Sequence, residues 1–292
     1  MAAGGLKYQY ARLNIAEKLI VVNVLVFVMN LLIPFLFRWN SDILQQWFWL
    51  PSNMVDFLGQ PWSIVTYSFF HSGFGHIFWN LLILYFFSRI FLNLFDGKRF
   101  LNVYFLGIIA GGIAYMIAYN VFPALREVSK VSVLIGASAG VRAIMIFVAA
   151  YIPNQEVRVI FFNVKLWYIG VFVIVMDLIQ IPSGNAGGMI SHLGGALLGY
   201  AYARQLFKGR DIGSGFSNLL DGIANLFKKK EKKSPLKTVY KNKTTEATSK
   251  AKYDASSHQK KIDAILDKIS KSGYESLSKA EKDFLFKAGK DH

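Results

Sequence analysis

Residues 134–145 read LIGASAGVRAIM and place a serine, Ser138, among small residues at the start of an apolar segment. An arginine, Arg142, follows one helical turn later, on the same face of a helix. Small residues let helices pack closely in a membrane, and serine is common at such contacts. The stretch therefore allows two interpretations, tight helix packing or a nucleophile held inside a helical bundle.

The composition indicates an all-α polytopic membrane protein. Of the 292 residues, 53% are hydrophobic, and they fall in long blocks. A helix needs about 20 mostly apolar residues to cross a bilayer, and six blocks approach that length. They lie at about 19–37, 77–95, 100–123, 137–152, 166–181 and 189–206. We therefore expect a bundle of six transmembrane helices at residues 19–206.

The distribution of Lys and Arg predicts the orientation, because cytoplasmic loops are enriched in these residues. The N-terminal segment 1–18 and the chain after residue 206 are basic, as are the connections after the second and fourth spans. The connection PSGNAGG at 182–188, after the fifth span, carries no charge. Both termini are thus expected in the cytoplasm, and the second, fourth and sixth spans run inward from the outer surface.

The C-terminal part carries most of the net charge of +15, with 20 Lys and Arg against 11 Asp and Glu in 207–292. We expect an amphipathic juxtamembrane helix and a disordered basic linker at 207–258, then a small helical hairpin at 259–292 with a Ser278–Glu281 capping box. A basic tail is attracted to anionic lipid headgroups. The run KKKEKK lacks interleaved aromatic residues, so no nucleic-acid partner is expected.

The absence of cysteine excludes disulfides and Cys-ligated metals, and neither a metal nor a cofactor is expected.

Polar side chains cluster near the outer ends of the three inward-running spans. HSGFGHIFWN at 71–80 supplies His71, His76 and Asn80, GASAG at 136–140 supplies Ser138, and SHLGGALLG at 191–199 supplies His192. Ionisable groups inside a membrane are costly and usually face a bundle interior or a wet cavity. Each residue alone is more often structural, but their combination at one depth indicates a functional site.

These side chains suit nucleophilic catalysis. A serine hydroxyl becomes a nucleophile when a base takes its proton, and histidine is the base suited to neutral pH. Ser138 and His192 form that pair, while His76, Asn80 and the backbone at Ser138 and Ala139 can donate hydrogen bonds to an oxyanion. No carboxylate is suitably placed to orient the base, so the sequence predicts a Ser–His dyad.

Four glycines predict how the two catalytic groups meet. Gly136 and Gly140 flank the serine, and Gly195 and Gly199 follow the histidine at helical spacing. Small surfaces let membrane helices approach closely. We therefore expect the fourth and sixth spans to pack against each other through these glycines.

The motifs HSGFGHIFWN, GASAG and HLGGALLG, in this order and at this depth, resemble those of the rhomboid family of intramembrane serine proteases, over about residues 15–206. The resemblance implies a serine endopeptidase acting on transmembrane proteins, with Ser138 as nucleophile, His192 as general base, and His76 and Asn80 as oxyanion donors. It also implies a membrane-lying loop at 38–75, and a lid and lateral gate formed by 184–188 and the fifth span.

The tail hairpin is similar to a module in rhomboids of the Bacteroidota, which implies a bacterial inner-membrane protein with its active site open to the outside.

The alternative to an active protease is a catalytically silent rhomboid-like protein that binds membrane clients. Silent relatives typically lose the serine or the histidine, and both are present here. A transporter or channel would need charged residues along a whole pathway, whereas these stop in the outer third.

Two positions depart from the family pattern. The usual GxSG motif is here GASA, with Gly140 one place late, and Arg142 occupies a position where the family often has an aromatic residue. An arginine at a helix centre costs about 2.5–3.5 kcal/mol on insertion scales, so we expect it to have a partner. Asp177, at a similar depth in the fifth span, is the best candidate. The pair is expected to stabilise the bundle, or else Arg142 is expected to alter the basicity of His192 or the shape of the cavity. His71 is expected to anchor the loop or modulate the site.

Overall fold

The computed structural model describes residues 5–159, 161–227 and 246–288. The chain divides into two compact units, Met1–Lys228 and Lys229–His292, and the described residues of each are mostly helical. The α-helices of the first unit are α1 (Leu6–Arg12), α2 (Ile15–Phe37), α3 (Met54–Gly59), α4 (Ser63–Thr66), α5 (Phe74–Leu94), α6 (Gly97–Val121), α7 (Pro123–Arg126), α8 (Ser138–Tyr151), α9 (Leu166–Gln180), α10 (Ala186–Phe207) and α11 (Ser214–Phe227). Two short antiparallel pairs accompany them, β1 (Leu50–Pro51) with β2 (Val133–Leu134) and β3 (Glu156–Val159) with β4 (Phe162–Lys165).

The six predicted spans correspond to α2, α5, α6, α8, α9 and α10. Within the described residues, four helices are long and apolar enough to cross a membrane: α2, α5, α6, and α9 with its extension to Ser183. Helix α8 has only 14 residues, and α10 is long but less apolar. The number of six crossings and the orientation of the termini therefore remain predictions.

The first long helix begins earlier than its apolar block suggests. Asn14 accepts the N–H of Glu17 at 2.9 Å, and the Glu17 carboxylate accepts the N–H of Asn14 at 2.9 Å. This capping box satisfies two backbone donors that a helix start leaves free. The expected boundary near residue 19 is thus displaced to Ile15, because polar capping residues rather than hydrophobicity fix the start.

The aromatic segment 38–75 is tied to the bundle at several points. Strand β1 pairs with β2, which joins Leu50 to Leu134 just before the GASAG motif. The Tyr67 hydroxyl donates to the carbonyl of Ile108 in α6 at 2.8 Å, and the Tyr67 carbonyl accepts the N–H of Gly136 at 3.0 Å. The segment therefore holds the backbone that leads into Ser138.

Helix α8 is the centre of the bundle and packs against α5, α6, α9 and α10. Every residue from Ala139 to Ala149 is buried except Arg142, which is half-buried. A helix that is apolar on all sides belongs in such a central position. Because its first residue is Ser138, the packing of α8 fixes the position of that hydroxyl.

The contact between α8 and α10 uses two of the four glycines that were expected there. A Cβ on Gly195 would collide with the backbone of Ala139, and one on Gly199 with the backbone of Ala143. Gly140 instead faces the Tyr104 ring of α6, where a Cβ would lie 2.8 Å away. Successive residues turn by about 100° around a helix, so Gly140 cannot share the face of Ala139. Gly195 and Gly199 lie at the α8–α10 contact as expected. The prediction is wrong for Gly140, which faces α6, and for Gly136, which lies beside the His76 side chain.

The connection after α10 folds back onto the bundle. The Asp211 carboxylate accepts hydrogen bonds from the Tyr202 hydroxyl, from Arg99 Nε at 3.1 Å and from the N–H of Gly213 at 3.0 Å. The Ser217 hydroxyl of α11 donates to Asn102 of α6 at 2.9 Å. The predicted juxtamembrane helix therefore exists, but it begins at Ser214 rather than at residue 207.

The second unit contains α12 (Glu246–Ser272) and α13 (Lys279–Ala288). The predicted capping box is confirmed, since Ser278 N–H donates to Glu281 at 2.8 Å and Glu281 N–H donates to Ser278 Oγ at 3.4 Å. The expected disordered linker is wrong for 246–258, where the backbone is helical. Its remaining part, 228–245, lies outside the described residues.

Candidate active site

His76 lies in the first turn of α5, and its neighbours define which ring nitrogen carries the proton. The backbone N–H of Ser72 approaches His76 Nδ1 at 3.4 Å, and the Ser72 hydroxyl lies 3.1 Å from the same atom. Because a backbone N–H can only donate, Nδ1 is the acceptor and the proton of the neutral ring lies on Nε2. That nitrogen points to Gly136, where a Cβ would stand 2.7 Å from it and 3.7 Å from Ser138 Oγ. His76 thus presents an N–H donor beside the serine.

The backbone before Ser138 takes a conformation that favours glycine. Gly136 has φ +120°, in the region that residues with a Cβ rarely adopt. Ala137 N–H then donates to His71 Nε2 at 3.4 Å, and burial lowers the pKa of His71 to about 3. His71 is therefore neutral and can accept. The first turn of a helix leaves its N–H groups without helical acceptors, and Ser138 and Ala139 lie at that position in α8.

The catalytic candidates line one cavity of about 640 Å³ between α5, α8 and α10. Its lining includes Ser138, His192, His76, Asn80 and Arg142. Asn80 donates its amide to the carbonyl of His76 at 2.8 Å, so its carbonyl oxygen and one N–H remain for the cavity. Among the hydrogen bonds of the described residues, none joins Ser138 to His192. Catalytic hydrogen bonds are often long without substrate and tighten when it binds.

Asp177 links the arginine to the candidate base. Arg142 Nε lies 2.9 Å from Asp177 Oδ2 and Arg142 Nη2 lies 3.1 Å from Oδ1, a bidentate ion pair between α8 and α9. The same Oδ1 lies 3.0 Å from His192 Nδ1. The expected Arg142–Asp177 pair is confirmed in the structure. The expectation that no carboxylate reaches the base is wrong.

A model of the rhomboid domain matches residues 58–209, which is more than half of the chain. The chain belongs to the rhomboid family. Its apolar helices and this domain make it a membrane protein. A plant relative, the RHOMBOID-like protein 12, mitochondrial, of Arabidopsis thaliana, is 30% identical over 163 residues. The match covers 52% of this chain and 48% of the relative, so the chain spans about half the length of that protein.

The tail of this rhomboid-family protein matches a second family model. A family of unknown function, DUF6576, covers residues 249–287. The matched range coincides with most of α12 and α13. The tail is thus similar to a family that is defined separately from the rhomboid domain.

The contact of Asp177 with His192 and the cap formed by Asn185 are not predicted by the sequence. The sequence pairs Asp177 with Arg142 alone, although the depth of Asp177 also matches that of His192. Asn185 precedes α10, accepts the N–H of Gly188 at 3.2 Å and lines the cavity. An Asn before an apolar helix is a capping signal, so this residue could have been found. Within the described residues, no group of three or more His, Cys, Asp or Glu side chains could hold a metal ion.

Proposed function

We propose that this rhomboid protein is an intramembrane serine endopeptidase that cleaves transmembrane or membrane-adjacent segments of other proteins. The observation that carries the proposal is the shared cavity, which brings Ser138 and His192 together with an N–H donor, His76 Nε2, beside the serine. Nucleophile, base and oxyanion donors are the parts that acyl transfer requires.

The acylation step follows from these positions. Ser138 Oγ attacks the substrate carbonyl carbon while its proton passes to His192 Nε2, and the carbonyl oxygen becomes an oxyanion. His76 Nε2–H, the Asn80 amide and the free N–H groups at the start of α8 donate to that oxygen. When the intermediate collapses, the C–N bond breaks and His192 gives its proton to the departing amine. An acyl-enzyme on Ser138 remains.

Hydrolysis of the acyl-enzyme repeats the sequence with water. His192 Nε2 takes a proton from the water as its oxygen attacks the acyl carbon, and the proton then returns to Ser138 Oγ when the ester bond breaks. The reaction needs water beneath the bilayer surface. The cavity has polar lining groups, among them Ser72, Asn185 and Arg142, which favour hydration.

The membrane arrangement belongs to the same proposal. We infer six crossings with both termini in the cytoplasm, a cavity that opens to the outside, and a basic tail close to anionic headgroups. A bacterial inner membrane is inferred from the resemblance of the tail. Substrates would then be single-pass or multi-pass proteins whose helices unwind near the cleavage point.

A fluorophosphonate probe on the full-length protein in lipid bilayers tests the activity. We expect covalent labelling that is lost in Ser138→Ala and in His192→Ala. Ser191→Ala is the matched control, because Ser191 is buried beside Gly111 of α6 rather than in the cavity lining. Absence of labelling in the wild type, or its persistence in Ser138→Ala, would overturn the proposal.

A catalytically silent client-binding protein predicts a different outcome. It would retain bound membrane proteins without labelling and without shedding their extracellular parts. Comparison of shed membrane-protein fragments between the wild type and Ser138→Ala therefore separates the two functions. Equal fragment patterns in the two strains would contradict the protease.

A further inference from the structure

Asp177 is a buried carboxylate whose two oxygens both accept hydrogen bonds. Its side chain is 2% exposed, it lies on α9, and it accepts from Arg142 through both oxygens and from His192 Nδ1 through Oδ1. Helix α9 is otherwise loosely packed, since Leu166 and Gly170 are its other buried residues. The position of Asp177 is thus fixed by the guanidinium on one side and the imidazole on the other.

The contact with His192 fixes a tautomer. An ionised carboxylate has no proton to donate, so the ring nitrogen that faces it, Nδ1, carries the hydrogen. The other nitrogen, Nε2, then holds the lone pair that a general base needs. Because the ring is held by a charged acceptor at 3.0 Å, its rotation is also restricted.

We propose that Asp177 is a positioning residue for His192, so that this chain uses a Ser138–His192–Asp177 arrangement in place of a Ser–His dyad. The proposal rests on the protease function proposed above. When His192 Nε2 takes the proton of Ser138 Oγ, the ring becomes an imidazolium beside the Asp177 carboxylate. The carboxylate offsets this charge without taking the proton, which passes from Nε2 to the leaving amine.

Arg142 serves this arrangement indirectly. Its guanidinium donates two hydrogen bonds to Asp177 and does not bond to His192 in the structure. Bidentate arginine–carboxylate pairs are geometrically specific, so Arg142 sets the direction of the carboxylate. The charged and titratable groups around His192 are therefore Asp177 from α9, Arg142 from α8 and His76 from α5.

A purely structural explanation is that Asp177 only neutralises a buried arginine. Two variants separate the explanations. Replacing both charges by apolar side chains, Arg142→Met with Asp177→Leu, removes the need for neutralisation, and such replacements are often neutral or stabilising. In Asp177→Asn, the Arg142 guanidinium can bond only the amide oxygen, because it has donors alone. The amide N–H₂ then faces His192 Nδ1, which must accept, so the proton of the neutral His192 ring moves to Nε2.

The first measurement is the rate of fluorophosphonate labelling of Ser138 in the full-length protein in bilayers, with the melting temperature of each variant. Relative to the wild type, we expect labelling to slow by at least about 100-fold in Asp177→Asn and in the apolar double variant, since loss of the orienting carboxylate costs serine hydrolases up to about 10⁴-fold. Arg142→Met alone should stay within about tenfold, and Asp177→Glu should recover part of the rate. A double variant that melts normally and labels at the wild-type rate would overturn the proposal.

The second measurement does not depend on hydrolysis. The chain has five histidines, so ¹⁵N-histidine NMR of the Ser138→Ala protein gives a small set of signals, and His192→Gln assigns the one of interest. In the Ser138→Ala protein, we expect the proton of the neutral His192 ring on Nδ1. In the Asp177→Asn, Ser138→Ala protein, we expect it on Nε2. Protonation of the unsubstituted His192 ring at Nε2 would overturn the positioning role. An unlabelled wild type would instead refute the protease function, whatever the tautomer.

Discussion

Gly136 shows how one residue without a side chain shapes the site. Its φ of +120° turns the backbone into the start of α8, and the missing Cβ leaves the space that His76 Nε2 occupies. The GASA motif retains this glycine two places before Ser138, so the departure from the usual GxSG pattern leaves the turn before the serine intact. The alanine that follows the serine is small enough to pack against Gly195.

Gly136→Ala should therefore abolish most probe labelling. The new Cβ would stand 2.7 Å from His76 Nε2, and the backbone conformation adds strain of about 1–3 kcal/mol. We expect at least about a 100-fold loss in labelling rate per folded molecule. Gly209→Ala is the matched control, because Gly209 also has a positive φ (74°) but open space around it. Labelling of Gly136→Ala at the rate of that control would contradict the prediction.

Helices α8 and α10 meet backbone to backbone. The contacts of Gly195 with Ala139 and of Gly199 with Ala143 leave no room for a methyl group. The hydrophobic effect does not drive association between helices in lipid. Van der Waals contact between closely packed backbones stabilises the helix pair instead. The packing is thus both the source of stability and the means by which His192 shares a cavity with Ser138.

Gly195→Ala and Gly199→Ala should both lower the melting temperature, with an overpacking cost of about 1–3 kcal/mol each. The labelling rate per folded molecule should fall more in Gly195→Ala, because Ala139 adjoins Ser138, whereas Ala143 lies one turn further along α8. Gly215→Ala in α11 meets no neighbour within 4 Å and serves as the control. Equal melting temperatures for all three variants would refute the packing argument.

The Asp211 carboxylate, at the junction between α10 and α11, makes the stability of the folded protein depend on pH. Burial alone would raise the pKa of Asp211, but hydrogen bonds from Tyr202, Arg99 and the Gly213 N–H lower it below the usual value of 3.8. A lowered folded-state pKa means that this stabilisation is present above pH 3.8 and is lost as the pH falls through the folded-state pKa.

Asp211→Asn should therefore lower the free energy of unfolding at pH 7 by about 1 kcal/mol, which appears as a lower melting temperature than that of the wild type. The difference in melting temperature should shrink below pH 3.8. Asp221→Asn is the control. Asp221 also contacts a cation, Lys98 at 2.6 Å, but both side chains are more than half exposed, and exposed ion pairs contribute little. A constant difference from pH 7 to pH 3 would contradict the assignment to ionised Asp211.

The molecule as a whole combines a membrane unit with a tail that forms a second compact unit. The rhomboid domain ends at residue 209 and the second family match begins at 249, on the two sides of the boundary between the compact units. Helical structure from Glu246 onward makes the tail longer than the hairpin expected from its apolar stripe.

The orientation can be tested with single cysteines, because the chain has none. Ser41 and Ser214 are both exposed and should lie on opposite sides of the membrane if six helices cross it. A membrane-impermeant maleimide added to intact cells should label the Ser41→Cys protein, and should label the Ser214→Cys protein only after permeabilisation. Labelling of both in intact cells would refute the six-span topology.

Local patterns in the sequence determined much of this protein. Blocks of apolar residues located six helices to within a few residues, because helix formation in an apolar setting depends on neighbouring residues alone. The motifs around His76, Ser138 and His192 identified the candidate site, since their order and depth follow from the spans that carry them. The Arg142–Asp177 pair was found from the cost of an unpaired charge.

Only the tertiary structure decided which side chains touch. Whether Asp177 reaches His192 as well as Arg142 depends on the rotation of α9 relative to α8 and α10, and no local pattern records that rotation. The same holds for Gly140, which faces α6 because α8 turns it about 100° away from Ala139. Contacts between distant segments are set by the packing of whole helices, and that packing brings the Asp177 carboxylate to His192 as well as to Arg142.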